Sequence, residues 1–336
     1  MLPQTTSGVS RLPEDPVSSS SFDFPHYTAN AGVQVLMVDI SLVVCTRNRA
    51  DALERMLRSV EQLRFEGDWE VVLVDNGSSD HTAQVLHNFA QGTSVPSCQI
   101  FSEARPGLAA ARNCGIRNSR GALLAFTDDD CYPDPDFLTR IEERLSDSSL
   151  SYCGGQVLLF DPSDRPVTIQ TRNEPRVIPA GEFIRGGVIH GANMGFKRES
   201  IIGVRGFDER LGAGTFFKSG EDTDLLRRLA FSGAKGYYDP KIRVYHHHGR
   251  KTIEQETALF RGYDRGRAAV LAKFCLHPGT RLVALKRFYW QLREGGLPRA
   301  MRLCAFGLEF ARRARFSSAR AWNHPANISC ELHERD

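Results

Sequence analysis

Four short apolar runs in the first half of the chain each stop at a polar cluster, and this pattern restricts the fold more than any other feature. Ile40-Ser41-Leu42-Val43-Val44-Cys45 ends in Thr46-Arg47-Asn48-Arg49, and Glu70-Val71-Val72-Leu73-Val74 ends in Asp75-Asn76-Gly77-Ser78-Ser79-Asp80. Cys98-Gln99-Ile100-Phe101 precedes Pro106-Gly107, and Ala122-Leu123-Leu124-Ala125-Phe126 runs through Thr127 into Asp128-Asp129-Asp130-Cys131. Short apolar runs of this kind read as buried strands of a parallel sheet. Helical spacing appears between them: Leu53, Met56, Leu57, Val60 and Leu63; Val85, Leu86 and Phe89; Leu108, Ala111 and Ile116. Asp51, with Glu54 three residues later, predicts a capping box at the first helix. Strand and helix thus alternate about every thirty residues, the βαβ signature of a parallel sheet. Ligands of such sheets bind beyond the carboxyl ends of the strands, where these polar clusters fall.

The chemistry of that edge is narrowed by what is missing. No G-x-G-x-x-G follows the first strand and no G-x-x-x-x-G-K-[ST] occurs, which argues against a dinucleotide site and a P-loop. Three consecutive carboxylates repel one another, and a divalent cation relieves this; oxygen ligands favour Mg²⁺, Mn²⁺ or Ca²⁺. An EF-hand loop from Asp128 fails, because Pro133 and Thr139 stand where Gly and Glu are needed. The alternative is an acidic turn in which Asp134 or Asp136 caps the following helix.

With 336 residues, the chain accommodates one large domain or two ordinary ones. Its net charge of +3 is uneven: Arg261 to Arg320 holds 14 Lys and Arg against 3 Asp and Glu, a local +11 that leaves −8 elsewhere. Eight cysteines without a C-x-x-C pair argue against zinc and a disulfide scaffold, and for a reducing cytoplasm. No apolar run approaches the roughly 18 residues of a transmembrane helix. The Ser/Pro-rich start lacks a signal-peptide core and reads as disordered to about Val33. In the second half, Cys153–Phe160 and His190–Phe196 read as strands, with a mobile loop across Asp161–Gly187 between them. Tyr237-Tyr238 and Ile242–His248 suggest two further strands, and helical patterning follows from Thr252, enough for three or four helices to Ser317.

Taken together, these motifs resemble the family 2 glycosyltransferases of the GT-A fold. The resemblance rests on Val43–Arg49, Val72–Asp80, Pro106-Gly107-Leu108-Ala109-Ala110-Ala111-Arg112-Asn113, Phe126–Asp130, Gly206-Phe207-Asp208-Glu209 and Gly220-Glu221-Asp222-Thr223-Asp224-Leu225. It spans about residues 40 to 250; each motif is weak alone, and their order and spacing are strong. It implies an α/β GT-A fold, a Rossmann-like, mostly parallel sheet flanked by helices. It also implies a nucleoside-diphosphate sugar donor, and transfer to an acceptor hydroxyl with inversion at the anomeric carbon. By resemblance, Thr46, Arg47 and Asp75 contact base and ribose, Arg112 lies near the nucleotide, and Asp128 and Asp129 join the donor site. Asp130 holds Mn²⁺ or Mg²⁺ on the diphosphate, His246 supplies another metal ligand, and Asp222 is the catalytic base. Glu221 and Asn193 lie by the acceptor or transferred sugar. The metal register stays open between Asp129 and Asp130. His246 and His248 face one way in a strand and His247 the other, so the His triplet leaves a similar choice. One departure stands out: many relatives carry two glycines before Phe-Asp-Glu, where this chain has Arg205-Gly206.

The expected organisation is a disordered tail (1–36), a GT-A domain (37–250), a basic helical extension (251–320) and a flexible tail (321–336). Basic residues interleaved with aromatics across 261–320 predict either peripheral contact with anionic membrane or a helical cap with solvated arginines. No recognised nucleic-acid module appears. The expectation is a cytoplasmic enzyme, at or near the inner face of the cell membrane, that builds bacterial polysaccharide or glycoconjugate on a glycan or lipid-linked acceptor. Two alternatives are a nucleotide-sugar-binding protein without transfer activity and a sugar-nucleotide pyrophosphorylase. The latter calls for a Gly-rich basic loop after the first strand, and Thr46–Arg49 has no glycine.

Overall fold

The apolar runs become strands within a residue or two of their predicted bounds: β1 (Ile40–Thr46), β2 (Trp69–Asp75), β3 (Cys98–Ser102) and β4 (Leu123–Asp128). The computed structural model describes residues 38–294 and 296–317, so the tails expected at 1–36 and 321–336 lie outside the described residues. Helices α1 (Ala50–Glu61), α2 (Thr82–Gly92) and α3 (Leu108–Asn118) connect the four strands, all paired in parallel in the order β3-β2-β1-β4. The sheet continues as β8 (Met194–Lys197), β6 (Tyr152–Leu159), β9 (Gly236–His246) and β5 (Cys131–Pro133), with β7 (Arg176–Ile178) on β9. This second half mixes parallel and antiparallel pairs.

The two-residue period of a strand divides the sheet's side chains between two cores. Ile40, Leu42, Val44, Val71 and Leu73 pack with Leu53, Met56, Leu57 and Val60 of α1 and with α4 (Phe137–Leu145). Val43, Val72, Val74, Leu124 and Phe126 pack on the other face with α3 and with α6 (Glu221–Phe231); α5 (Arg198–Gly203) adds Ile201. Burial on both faces is why these strands are almost continuously apolar.

Several local expectations are corrected. Asp51 does not cap α1, because the helix begins one residue earlier, at Ala50. The neighbouring loop satisfies its start instead: Asp80 accepts from the Ala50 N–H (3.3 Å) and Thr82 from that of Arg49 (3.0 Å). Neither Asp134 nor Asp136 caps α4; they pair with Arg243 and Arg140, both at 2.7–2.8 Å. Only the end of His190–Phe196 is strand, since the His190–Asn193 segment turns, with the Asn193 N–H bonded to the His190 carbonyl at 2.9 Å. The two strands expected after Tyr237 are one continuous β9, whose register against β6 shifts between Gly155 and Gln156.

Beyond residue 250 come α7 (Ile253–Leu276), α8 (Arg281–Glu294) and α9 (Gly296–Ser317). A capping box starts α7: Thr252 Oγ1 accepts from the Gln255 N–H (3.3 Å) and Gln255 Oε1 from the Thr252 N–H (3.0 Å). Phe274, Val270 and Leu271 of α7, Ala284 of α8 and Phe310 of α9 share a core with Phe183, Leu211 and Phe217. Gly266 lets α7 approach the segment that opens α6: a Cβ there would lie 2.1 Å from Ser219 Oγ and 2.2 Å from its carbonyl oxygen. Lys273 of α7 reaches both Asp208 (2.8 Å) and Asp224 (2.7 Å). The described residues form a single compact unit, so the helices are built into the body that carries the sheet.

Candidate active site

Register decides which residues meet at the carboxyl edge of the sheet. In the parallel ladders, Thr46 pairs with Asp75 and Cys45 with Asp128, so the polar ends of β1, β2 and β4 lie side by side. In the antiparallel β5–β9 ladder Cys131 pairs with His246, and the His247 N–H donates to the Asp130 carbonyl (2.8 Å). The acidic run and the His triplet, more than a hundred residues apart in sequence, are thus fixed together by backbone pairing. His246 Nε2 stands 3.3 Å from Asp130 Oδ1, while Thr168 Oγ1 lies 3.1 Å from Nδ1 on the other edge of the ring. His248 is on the same side (ring centroids 5.0 Å apart) but faces Asp164, and His247 turns away onto the Tyr132 hydroxyl (2.9 Å).

Asp130 and His246 are therefore the groups that could share a metal ion; Cys131 is close enough to join them. Burial pushes the Cys131 thiol well above its ordinary pKa, which keeps it protonated and a poor partner for a hard cation. Burial also opposes ionisation of Asp130, but the His246 hydrogen bond and charge, with Arg49 at 2.8 Å, bring its pKa down to about 2. Asp129 behaves in the opposite way: burial and the adjacent Asp130 push it up to about 7 against the pull of Arg49. One carboxylate and one imidazole would suit Mn²⁺ or Mg²⁺ with further oxygen ligands.

Arg112 joins two sides of the site. Its side chain is 2% exposed; Nη2 donates to Asp128 (2.7 Å) and to the Gly191 carbonyl (3.1 Å), and Nη1 donates to Glu221 (3.0 Å). The guanidinium lies 5.4 Å from the ring centroid of Phe207. Only a residue without Cβ fits at Gly191, because a Cβ would stand 2.8 Å from Arg112 Nη2. Burial disfavours the Arg112 charge, yet Asp128 and Glu221 more than offset it and raise the pKa. Glu221 is pushed up to about 7 by burial and by Asp222, against the pull of Arg112. Asp222, at the start of α6, accepts the Gly191 N–H at Oδ2 (3.2 Å) and the Thr223 N–H at Oδ1 (2.5 Å). These bonds fix its carboxylate beside the cavity.

A cavity of about 880 Å³ collects most of the predicted residues: Thr46, Arg47, Arg112, Asp128, Asp129, Asp130, Glu221, Asp222 and His246 all line it. Two do not. Asp75 accepts the Ser78 N–H (2.9 Å) and so orders its own turn. Asn193, expected beside the acceptor, is wholly buried; its amide donates to the carbonyls of Gln156 (2.8 Å) and Ile242 (2.9 Å) and ties β6 to β9.

With this geometry in place, the comparisons with known proteins become informative. Residues 41–204 match the model of glycosyl transferase family 2, a span that runs from β1 to just past α5. This stretch is a glycosyltransferase family 2 domain. Among curated relatives, glycosyltransferase AglE of Haloferax volcanii is 34% identical over 126 residues, which cover 37% of this chain and 41% of the relative. A pre-mycofactocin glycosyltransferase of Mycobacterium tuberculosis is 26% identical over 243 residues, 70% of this chain and 47% of the relative. Succinoglycan biosynthesis protein ExoU of Rhizobium meliloti is 28% identical over 212 residues, 59% and 58%. The chain thus spans between 41% and 58% of the length of these relatives.

Two solved structures are similar in fold. A mannosyltransferase of Pyrobaculum calidifontis, in complex with GDP-Man and Mn²⁺, superposes with a TM-score of 0.55 at 21% identity, covering 86% of this chain and 84% of that one. S. aureus TarS 1–349 in complex with UDP-GlcNAc gives 0.57 at 16% identity, covering 79% of each. The sheet is of the GT-A type, with the C-terminal helices added to it.

Glu221, Asp222 and His246 lie beyond the stretch that matches the family model, and only the fold brings them to it. Sequence reasoning assigned no role to several other lining residues: Arg49, His190, Arg227, Arg250 and Tyr263. Arg49 sits in a quoted motif, and its fixed distance from the first strand was a usable signal. Arg227 and Tyr263 carried none, because each lies on a helix face whose orientation depends on packing.

Proposed function

We propose that this protein is a metal-dependent, inverting glycosyltransferase that moves a sugar from a nucleoside-diphosphate sugar to an acceptor hydroxyl in polysaccharide or glycoconjugate assembly. The observation that carries this reading is the Asp130–His246 pair opening into the same cavity as Asp222. Asp130 and His246 hold Mn²⁺ or Mg²⁺, which when bound neutralises charge on the departing diphosphate. Thr46, Arg47, Asp128 and Asp129 take the nucleotide portion, and Asp75 supports it by ordering the adjoining turn. Arg112 keeps Asp128 and Glu221 in register across the site. Asp222 accepts the acceptor proton as its oxygen attacks the anomeric carbon, while the glycosidic oxygen leaves with the nucleotide. A single displacement needs one base and no covalent enzyme intermediate, which is why the product is inverted. Relatives named for glycosyl transfer and polysaccharide synthesis, and neighbours that hold GDP-Man or UDP-GlcNAc, support the donor class and the process.

The test is a panel of nucleotide sugars with Mn²⁺, scored by released nucleoside diphosphate, for the wild type, Asp222→Asn and Asp130→Ala. One donor is turned over by the wild type, and EDTA abolishes this. Asp222→Asn keeps donor affinity but loses about 10²–10⁴-fold in transfer once an acceptor is supplied. Asp130→Ala loses metal-dependent donor binding. Donor binding without turnover, equal in wild type and Asp222→Asn, would instead make the protein a nucleotide-sugar binder.

A second reading concerns the membrane. Among the described residues no helix is long and apolar enough to cross a bilayer. Leu282, Leu285, Tyr289 and Trp290 of α8 are nonetheless exposed, with Arg281, Lys286 and Arg293 on the same helix. That composition supports peripheral contact with anionic lipid. Failure to float with anionic vesicles at low salt removes this reading.

A further inference from the structure

The cavity has a second wall, built by α6 and the C-terminal helices, whose charge the proposed donor chemistry does not use. Arg227 of α6 is 5% exposed and borders the cavity. Its Nε donates to the Ile184 carbonyl (2.8 Å), and its guanidinium stacks 3.9 Å from the Phe183 ring centroid. Among the described residues its Nη atoms make no hydrogen bond and no carboxylate ion-pairs with it. Arg287 of α8 borders the same space, half-buried, and makes no hydrogen bond or ion pair among the described residues. Arg267 of α7 and Arg299 of α9 complete the wall; both lean on Asp264 at 3.1 Å, which also faces Arg302 at 3.6 Å. Four guanidiniums border the cavity here with one carboxylate between them.

Buried charges are normally paired, because removing an ion from water is costly. Burial and the neighbouring Arg287 and Arg267 push the Arg227 pKa down to about 9 even though Asp224 and Asp222 favour its charge. The wall therefore carries cationic charge that the chain does not neutralise. Guanidiniums of this density match a phosphate or diphosphate, whose oxygens accept paired N–H donors. The donor diphosphate is already provided for at Asp130 and His246, at the strand ends. Arg227 lies five residues beyond Asp222 on α6, about 7.5 Å along the helix axis. Leu259, Phe260 and Trp290 add apolar and aromatic lining on the same side.

We propose that the α6–α9 wall is an acceptor subsite, in which Arg227, Arg267, Arg287 and Arg299 hold a phosphate or diphosphate group of the molecule that receives the sugar. This rests on the transferase reading, and it makes the acceptor an anion, either a phosphorylated lipid or a water-soluble sugar phosphate. The helical extension then selects the acceptor, while the sheet binds the donor.

The experiment is calorimetry on the full chain with Mn²⁺, preloaded with UDP or GDP so that the donor site is filled. The probes are farnesyl phosphate with farnesol as its neutral control, and glucose 1-phosphate with glucose as its control. One phosphorylated probe binds at least about tenfold tighter than its neutral control, and which probe does so identifies the source of the phosphate. Arg287→Gln weakens that binding about tenfold or more with no change in thermal midpoint, whereas Arg261→Gln, an exposed basic residue outside the cavity, does not. Arg227→Gln gives the same loss, and Arg287→Gln carries the test should the Arg227 variant unfold. Equal binding of phosphorylated and neutral probes, no binding of either phosphorylated probe, or no effect of Arg287→Gln overturns the proposal. So does blockage of the probe by preloaded nucleotide, since the arginines would then serve the donor. If neither UDP nor GDP binds while the phosphorylated probe does, the anion site stands and the transferase reading falls.

Discussion

A guanidinium with 2% exposure is normally paired with carboxylates, and Arg112 has two, Asp128 and Glu221. The ionised form of Glu221 is disfavoured all the same, with a folded pKa of about 7 against an ordinary 4.5. Between those values the folded chain keeps a proton that the unfolded chain has released. The stability contributed by that proton is full below about pH 4.5 and is lost as the pH rises towards 7. Glu221→Gln is neutral throughout, so its urea midpoint falls less steeply than that of the wild type across this window. Equal slopes would show that Glu221 is ionised in the fold. A second residue-scale feature follows the one departure from the family pattern. Arg205, at the position where the resemblance leads one to expect glycine, sits at φ 63°, in the left-handed region that disfavours side chains. Arg205→Gly relieves that strain and raises stability by up to about 1 kcal/mol, a shift visible in the thermal midpoint.

At the scale of elements, α6 depends on α7. The residues that precede Glu221 and Asp222 are covered by α7 at Gly266, where no Cβ fits against Ser219. Gly266→Ala forces the two segments apart and costs about 1–3 kcal/mol by overpacking. Because the displaced segment leads directly into Asp222, under the proposed function the variant also loses transfer rate, while the metal and donor affinities that this proposal assigns to β1, β4 and β9 stay near those of the wild type. A drop in stability with an unchanged rate would mean that α6 holds its position without α7. The Lys273 contacts with Asp208 and Asp224 tie α7 to the same region. The Gly206-Phe207-Asp208-Glu209 motif is tied to α3 in turn, since the Asn113 side chain both donates to the Phe207 carbonyl (2.9 Å) and accepts its N–H (2.8 Å).

At the scale of the whole molecule, the connecting segments that carry Phe183, Leu211 and Phe217 share one core with the three C-terminal helices, which supply Phe274, Ala284 and Phe310. A chain ended after Arg250 exposes those residues and leaves Asp208 and Asp224 without Lys273. It is expected to bind a hydrophobic dye and to lose a cooperative thermal transition, and a sharp transition like that of the full chain would show that the sheet folds alone. The parallel half was legible because doubly buried strands are apolar at every position and end where polar loops begin, so β1, β2 and β4 could be read from local pattern. The carboxyl-edge location of Asp128–Asp130 followed from chain direction. The Asp51 capping box failed because the real cap, Asp80 and Thr82, comes from another loop. Asn193 failed because its amide is taken up by the carbonyls of two strands distant in sequence. The sequence by itself thus determined the strand–helix alternation, the edge at which chemistry is placed and the residue types available there. The tertiary structure alone decided which His faces Asp130, which carboxylates share Arg112, and that the basic helices bring Arg227, Arg267, Arg287 and Arg299 to one wall of the cavity. The physical reason is range: hydrophobic periodicity records burial within one element, whereas ion pairs and metal ligands depend on the register and packing of elements far apart in the chain.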